Sequence, residues 1–174
     1  TCDTVLISTG ASAKYLGIES EQKYLKLGGG VSACAVCDGF FYKNQEVVVV
    51  GGGDSACEEA HYLSKLCKKV TMLIRKNNFR ASKIMTERAR ANPKISYELN
   101  STVEEINGNE KNGVKSVVLK DTLDGTKRIL KCDGVFLAIG HTPNTKLFNG
   151  LLELDESGYI ITNPASTHTS FDGV

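Results

Sequence analysis

The chain has 174 residues, 41% of them hydrophobic, and its 21 Lys and Arg residues offset 20 Asp and Glu residues to a net charge of +1. This length and composition suit one well-packed domain with additional segments, and they exclude the classes of disordered and fibrous chains. The near-neutral charge gives no overall field that would attract nucleic acid or a membrane surface, and no stretch reaches the roughly 20 apolar residues of a membrane span.

The first predicted elements are a strand and a loop. Residues 3–9 have the apolar character of a buried strand that stops at Gly10, and the sequence from Gly17 to Gly30 is polar and loop-like. The first residues also lack the charged start and long apolar run of a secretion signal. We therefore expect a soluble, cytoplasmic protein with no membrane and no nucleic-acid partner.

A Cys-x-x-Cys pair comes next, formed by Cys34 and Cys37 and followed directly by Asp38. Two intervening residues allow a disulfide that cycles with a dithiol, and the adjoining carboxylate is a candidate to exchange protons with the thiolates. The pair could instead be structural or half of a zinc site, but the other cysteines and the histidines lack the spacing of a second ligand pair. We expect no metal and predict a catalytic set of Cys34, Cys37 and Asp38.

A strand, a glycine turn and a helix follow in immediate succession. The β-branched run at 46–50 predicts a parallel strand covered on both faces, and small and apolar residues recur at helical spacing from Asp54, the predicted N-cap, to Cys67. The glycines between them would let the backbone approach a dinucleotide pyrophosphate at the helix N-terminus, although an ordinary glycine-rich turn is the alternative. The predicted nucleotide-contacting residues of this segment are Gly51, Gly52, Gly53, Asp54, Ser55, Ala56 and Glu58.

The second strand of this βαβ unit is predicted at 70–74, and three cations follow it. Arg75 and Lys76 follow the strand and Arg80 comes shortly after, where an acidic residue would hold the ribose of NAD. Charge-assisted contacts from these cations suit a 2′-phosphate, so NADPH is favoured over NADH. A solvated basic turn is the alternative.

The remaining sequence predicts a crossover and a return to the sheet. A buried strand at 134–139 is followed by loops from His141 and a short strand at 159–162. The fold class is therefore α/β, a Rossmann-like NAD(P)-binding domain with a β-meander crossover. The other predicted elements are a helix at 82–91 and four strands at 95–99, 102–106, 114–120 and 127–132.

With these motifs in hand, the chain closely resembles the low-molecular-weight thioredoxin reductases. The resemblance implies the two-dinucleotide-binding-domain flavoprotein fold and an enzyme that is homodimeric as the full-length protein. Electrons would pass from NADPH through FAD to the Cys34/Cys37 disulfide and on to thioredoxin. The segments that carry the resemblance are residues 8–11, 30–39, 51–60, 75–81 and 138–144.

The resemblance also implies individual roles. Cys37 would face the flavin, Cys34 would attack the disulfide of the partner, and Asp38 would serve as acid and base. The three cations fall on the family's 2′-phosphate positions, and two further residues, Ile139 and Gly140, join the expected cofactor contacts.

The domain organisation expected from the resemblance is discontinuous. Residues 1–14 would be the tail of the N-terminal half of an FAD domain, 15–140 the NADPH-binding domain, and 141–174 the start of the C-terminal half. Only one glycine-rich phosphate loop is recognisable, so we expect the chain to bind NADPH, not to bind FAD tightly, and not to turn over alone. The alternatives are the NADH-dependent flavoprotein of alkyl hydroperoxide reductase, from which the basic cluster separates it, and a non-catalytic nucleotide-binding module.

Overall fold

A computed structural model describes residues 2–174, which form two compact units. One unit is Tyr15–Ile139, and the other combines Gly140–Val174 with the described residues up to Lys14. The strands are β1 (Ala11–Ala13), β2 (Val31–Ser32), β3 (Glu46–Val50), β4 (Lys69–Leu73), β5 (Ile95–Glu98), β6 (Ser101–Asn109), β7 (Gly113–Asp121), β8 (Lys127–Lys131), β9 (Gly134–Leu137) and β10 (His141–Pro143). The helices are α1 (Glu19–Lys26), α2 (Ala35–Asp38), α3 (Asp54–Ser64) and α4 (Lys83–Arg90), with short 3-10 turns at Gly39–Tyr42 and Lys146–Phe148.

A five-stranded parallel sheet organises the unit Tyr15–Ile139. Its strand order is β2-β9-β3-β4-β5, and every neighbouring pair is parallel. Helix α3 connects β3 to β4, and α4 connects β4 to β5. The predicted βαβ unit and the Rossmann-like parallel sheet are therefore confirmed.

The predicted meander is also confirmed. Strands β6, β7 and β8 form a separate antiparallel sheet, inserted in the chain between β5 and β9. Val47 and Val49 of β3 pack in the core on the helix side of the parallel sheet, whereas Val48 and Val50 pack in the core that contains the meander. Because both faces of β3 are covered, a continuous β-branched run is required there instead of an alternating pattern.

The second unit has little interior. Strands β1 and β10 pair antiparallel, and the Asn144 side chain accepts a hydrogen bond from Ser12 and donates one to the Thr9 carbonyl. Pro143 and Thr145 are the only buried residues among those the structure describes in this unit. Its large exposed apolar side chains are Val5, Leu6, Leu147, Leu151, Tyr159, Ile161 and Phe171.

Two of the predicted strands are wrong. Residues 3–9 form no strand, because within the described chain their backbone finds isolated partners, such as the Gly173 carbonyl for Val5, in place of a ladder. Around 159–162 there is a single antiparallel bridge between Leu154 and Ile160 and no regular strand. An apolar run specifies a strand only where a neighbouring strand supplies hydrogen-bond partners.

The predicted loops at 17–30 and from residue 141 also need correction. The first contains α1, whose Tyr24 is buried and whose Glu21 carboxylate is fully buried while it accepts the amides of Leu16 and Gly17 at 2.7 and 2.9 Å. Strand β2 begins directly after this segment, at Val31, and the second loop contains β10. Tertiary burial stabilises α1 and β2, whereas β10 is held by its pairing with β1. None of the helices in residues 2–174 has the length and apolar character needed to cross a bilayer.

Candidate functional site

The predicted site segments follow the carboxyl ends of four neighbouring strands. The disulfide segment follows β2, Ile139 follows β9, the glycine turn follows β3 and the basic segment follows β4. In this register Ser32 and Val49 are both level with Phe136 of β9, so Cys34 and Gly51 leave the sheet at the same height. Strands β2 and β3 are two places apart, which corresponds to about 10 Å. Ligands of open parallel sheets bind at this edge.

Cys34 and Cys37 form a disulfide, with their Cα atoms 5.3 Å apart. Cys34 is the N-cap of α2, and its Sγ accepts a hydrogen bond from the Cys37 amide at 3.2 Å. The Cys34 amide donates to the Ser32 Oγ at 3.0 Å, which fixes the entry to the helix. Cys34 is half-buried and Cys37 is exposed, so the disulfide can be reached from solvent.

Asp38 ends α2 and is half-buried. Desolvation first, and then the negative charge of Asp38, raise the pKa of the Tyr42 phenol. Both residues lie on the short segment that runs from α2 into the 3-10 turn at Gly39–Tyr42.

The three glycines of the turn have different surroundings. A Cβ atom at Gly51, whose φ is +147°, would overlap the Ala138 carbonyl and lie 2.9 Å from the Ala56 Cβ. At Gly52 it would lie 2.9 Å from a methyl group of Ile74. At Gly53 the nearest atom is an Arg80 guanidinium nitrogen at 3.9 Å, so the space above this residue is open.

The N-terminus of α3 is open to a ligand. Its N-cap is Gly53, in an extended conformation, and no side chain caps the helix. Amides in the first turn of a helix lack intrahelical partners, and Ser55 in this turn is exposed while Ala56 is buried against the strand. These features fit a phosphate group, which would meet free amides at the positive end of the helix dipole.

The prediction that Asp54 is the N-cap is wrong. Asp54 is the first residue within α3, and its Oδ1 accepts hydrogen bonds from the Ser82 hydroxyl at 2.7 Å and the Ser82 amide at 2.9 Å. These two bonds lower the pKa of the Asp54 carboxyl below its usual range. Gly53 takes the N-cap position because its backbone is already extended where the turn meets the helix.

The three predicted cations are exposed, and none of them forms an ion pair within residues 2–174. The Arg75 carbonyl accepts from the Thr122 hydroxyl at 3.2 Å, and the Lys76 carbonyl accepts from the Asn100 amide at 3.1 Å. Both contacts hold the backbone and leave the cationic groups available. The Arg80 guanidinium lies near Gly53, at the glycine turn.

The other predicted cofactor contacts are less closely grouped. Glu58 is exposed on α3, one turn beyond its start. Ile139 is half-buried just after β9. Gly140, with φ of +102°, belongs to the second unit, where its carbonyl accepts the Lys14 amide.

Sequence reasoning missed two serines that support the site. Ser32 contacts the Cys34 backbone and Ser82 contacts Asp54, but the second pair is 28 positions apart in the chain and no spacing rule would connect it. Within residues 2–174 no three His, Cys, Asp or Glu side chains group as a metal site would require. The free cysteines that the structure describes are buried except Cys2.

Comparison with protein families gives a match along the whole chain. The model of the pyridine nucleotide-disulphide oxidoreductases matches residues 1–174. Among curated relatives, the chain is 51% identical over 173 residues to a thioredoxin reductase of Rickettsia typhi, covering 99% of this chain and 55% of the relative. A thioredoxin reductase of Vibrio cholerae is 49% identical over 181 residues, with 100% of this chain and 56% of the relative covered. The chain thus spans about half the length of the curated relatives it matches.

Solved structures of thioredoxin reductases are similar to this chain in fold. A thioredoxin reductase of Lactococcus lactis has a TM-score of 0.83 at 39% identity, and the match covers 94% of this chain and 53% of that one. One from T. acidophilum has a TM-score of 0.83 at 33% identity, with the same coverage. These similarities confirm the resemblance drawn from the motifs and the predicted flavoprotein fold type.

Proposed function

Because the chain belongs to the pyridine nucleotide-disulphide oxidoreductase family, we propose that it carries the nucleotide site and the redox disulfide of an NADPH-dependent thioredoxin-disulfide reductase. The observation that carries the proposal is the convergence at one sheet edge of an accessible disulfide and an open glycine turn. A nicotinamide reductant and a disulfide oxidant need both features in one protein.

The nucleotide would bind at the glycine turn. The free amides at the start of α3 suit the pyrophosphate, and the open space at Gly53 allows a phosphate to approach the backbone. The unpaired cations Arg75, Lys76 and Arg80 favour NADPH, since its 2′-phosphate adds two negative charges that NADH lacks. A carboxylate for the ribose of NADH does not follow β4.

The disulfide would carry the electron pair. NADPH gives up a hydride, and with one proton from solvent the Cys34–Cys37 bond becomes two thiols. In the whole protein a bound flavin would supply the relay of these electrons between nicotinamide and disulfide. Thiol–disulfide exchange then passes the pair to thioredoxin: a thiolate attacks, a mixed disulfide forms, and the second thiolate releases it.

The role of Cys34 as the attacking sulfur is supported by its hydrogen bond. The Cys37 amide that donates to the Cys34 Sγ at 3.2 Å would stabilise a Cys34 thiolate after reduction. We propose Asp38, at the end of the same helix, as the acid and base for the pair, and Cys37 as the sulfur that faces the flavin.

A protein partner is supported by the surface around the disulfide. Val36, Phe40 and Phe41 are 70%, 66% and 72% exposed, an unusual density of apolar surface for one short segment. This surface suits the docking of a protein such as thioredoxin. Dimerisation of the whole protein and its cytoplasmic location stay predictions from the resemblance.

The test is the reduction of thioredoxin by the whole protein with NADPH as the reductant. We expect turnover with NADPH, a large loss of turnover when NADH replaces it, and no turnover in the Cys34→Ser and Cys37→Ser variants. Substituting Arg75 and Arg80 by alanine together should reduce the preference for NADPH. Equal use of NADH by the unsubstituted protein, or thioredoxin reduction without either cysteine, would contradict the proposal.

A further inference from the structure

We propose that Asp54 is a positioning residue, which holds the loop that carries Arg80 against the glycine turn and thereby keeps the Arg80 guanidinium within reach of the phosphate site. The inference rests on the proposed function, because it assumes that a nucleotide phosphate binds at the turn. It assigns Asp54 a role other than the cofactor contact and helix cap expected from the sequence.

Four hydrogen bonds join the loop to the turn. The amides of Arg80 and Ala81 donate to the Gly52 carbonyl at 2.7 and 3.0 Å. The amide and hydroxyl of Ser82 donate to the Asp54 Oδ1 at 2.9 and 2.7 Å. We call this set of bonds the Asp54 latch, and it holds three consecutive residues of the loop to the start of α3.

Arg80 depends on the latch because its side chain forms no hydrogen bond or ion pair within residues 2–174. The guanidinium is exposed and has no carboxylate partner within residues 2–174. It nevertheless lies 3.9 Å from the position of a Cβ atom at Gly53, beside the open helix N-terminus. The position of the loop backbone therefore decides which space the Arg80 guanidinium can reach.

A direct contact between Asp54 and a phosphate is disfavoured by charge. A carboxylate next to a pyrophosphate would repel it, whereas a carboxylate that accepts two hydrogen bonds from Ser82 is useful as a fixed acceptor. The latch therefore predicts that the acceptor oxygen of Asp54 matters and that its negative charge does not.

The test measures NADPH binding to the whole chain by isothermal titration calorimetry. Asp54→Ala should weaken NADPH binding by about three- to tenfold, because a cation that loses its fixed position stabilises the bound phosphate less. Asp54→Asn keeps the Oδ1 acceptor and should bind NADPH within about twofold of the unsubstituted chain. In an Arg80→Ala background, Asp54→Ala should cause no further loss, since the latch acts through Arg80.

Three further variants serve as controls. Glu46→Ala removes a hydrogen-bonded carboxylate at the opposite end of β3 and should leave NADPH binding unchanged. If Asp54→Ala does not fold, the same bonds can be tested from the other side. Ser82→Ala should weaken NADPH binding less than Asp54→Ala would, because the hydrogen bond from the Ser82 amide to Asp54 remains. Ser82→Thr keeps the hydroxyl and should bind NADPH normally.

The outcomes separate the latch from the proposed function. Normal NADPH binding by Asp54→Ala, an equal loss in Asp54→Asn, or an undiminished loss in the Arg80→Ala background would overturn the latch alone. Absence of NADPH binding by the unsubstituted chain would overturn the proposed function, and the latch with it.

Discussion

Gly51 and Gly53 lie in the same turn, but their surroundings and backbone conformations differ. Gly51 has a positive φ and is pressed against Ala138 and Ala56, so its lack of a Cβ serves the packing of β3, β9 and α3. Gly53 has φ of −94°, which any residue can adopt, and open space above it. We therefore propose that its lack of a Cβ serves a ligand instead of the fold.

Alanine substitution at each glycine should separate stability from binding. Gly51→Ala combines backbone strain with steric overlap and should lower the free energy of unfolding by about 2 kcal/mol or more. Gly53→Ala should change it by less than about 1 kcal/mol but weaken NADPH binding by about tenfold, because the new methyl group occupies the approach to the backbone. Urea unfolding and NADPH titration of both variants check this, and strong NADPH binding by Gly53→Ala would contradict the proposed phosphate site.

At the scale of the element, helix α3 joins the two halves of the site. Its N-terminus borders the glycine turn, and near its C-terminal end Leu63 packs closely against Gly39, the residue that follows the disulfide helix. Ten residues of helix separate these two points, or about 15 Å. The helix also carries a buried carboxyl oxygen, the Oε2 of Glu59, which has no hydrogen-bond partner within residues 2–174.

Glu59 should make the stability of the protein depend on pH. Burial, and to a smaller extent the neighbouring Glu58 carboxylate, raise the pKa of Glu59 from its usual value of 4.5 to about 7. The folded state therefore holds this proton more tightly than the unfolded state does. The stabilisation that Glu59 contributes is complete below about pH 4.5 and is lost as the pH rises through about 7.

Glu59→Gln should therefore stabilise the protein at pH 8 by about 2 kcal/mol, a value reduced for the partial exposure of the side chain. It should also flatten the change in stability between pH 5 and pH 8. Urea unfolding across this pH range measures the effect, with the exposed Glu58→Gln as the matched control that changes the profile only slightly. A Glu59→Gln profile parallel to that of the unsubstituted chain would contradict the raised pKa.

At the scale of the whole molecule, the two units differ in what they can do alone. The unit Tyr15–Ile139 has cores on both faces of its parallel sheet and contains the disulfide, the glycine turn and the three cations. The second unit buries very little of its described sequence and exposes seven large apolar side chains. The first unit therefore contains the residues to which the proposed function assigns nucleotide binding, apart from Gly140.

The purified chain should accordingly bind NADPH without retaining flavin. Its described residues include a single strand, glycine turn and helix suited to a dinucleotide, and the proposed function assigns that turn to NADPH. Visible absorption of the purified chain detects flavin, and calorimetric titration detects NADPH binding. Stoichiometric flavin on the purified chain, or tighter binding of FAD than of NADPH, would contradict this prediction.

The sequence by itself determined the parts of this protein that depend on local pattern. The valine run predicted β3, the glycines predicted the turn, the spacing of Cys34 and Cys37 allowed a disulfide, and two short strands around a turn indicated the meander. Each of these signals lies within about a dozen consecutive residues, where backbone sterics and hydrophobic periodicity act.

Only the tertiary structure decided the features that depend on distant partners. Helix α1 is held by the burial of Glu21 and Tyr24, residues 3–9 have no neighbouring strand, and Asp54 bonds to Ser82, 28 positions away, instead of capping its own helix. The hydrogen-bond partner or cavity of a side chain depends on which distant residues the fold places beside it. Spacing along the sequence does not identify those residues. For this reason the candidate residues of the site could be named from the sequence, whereas the contacts that orient them could not.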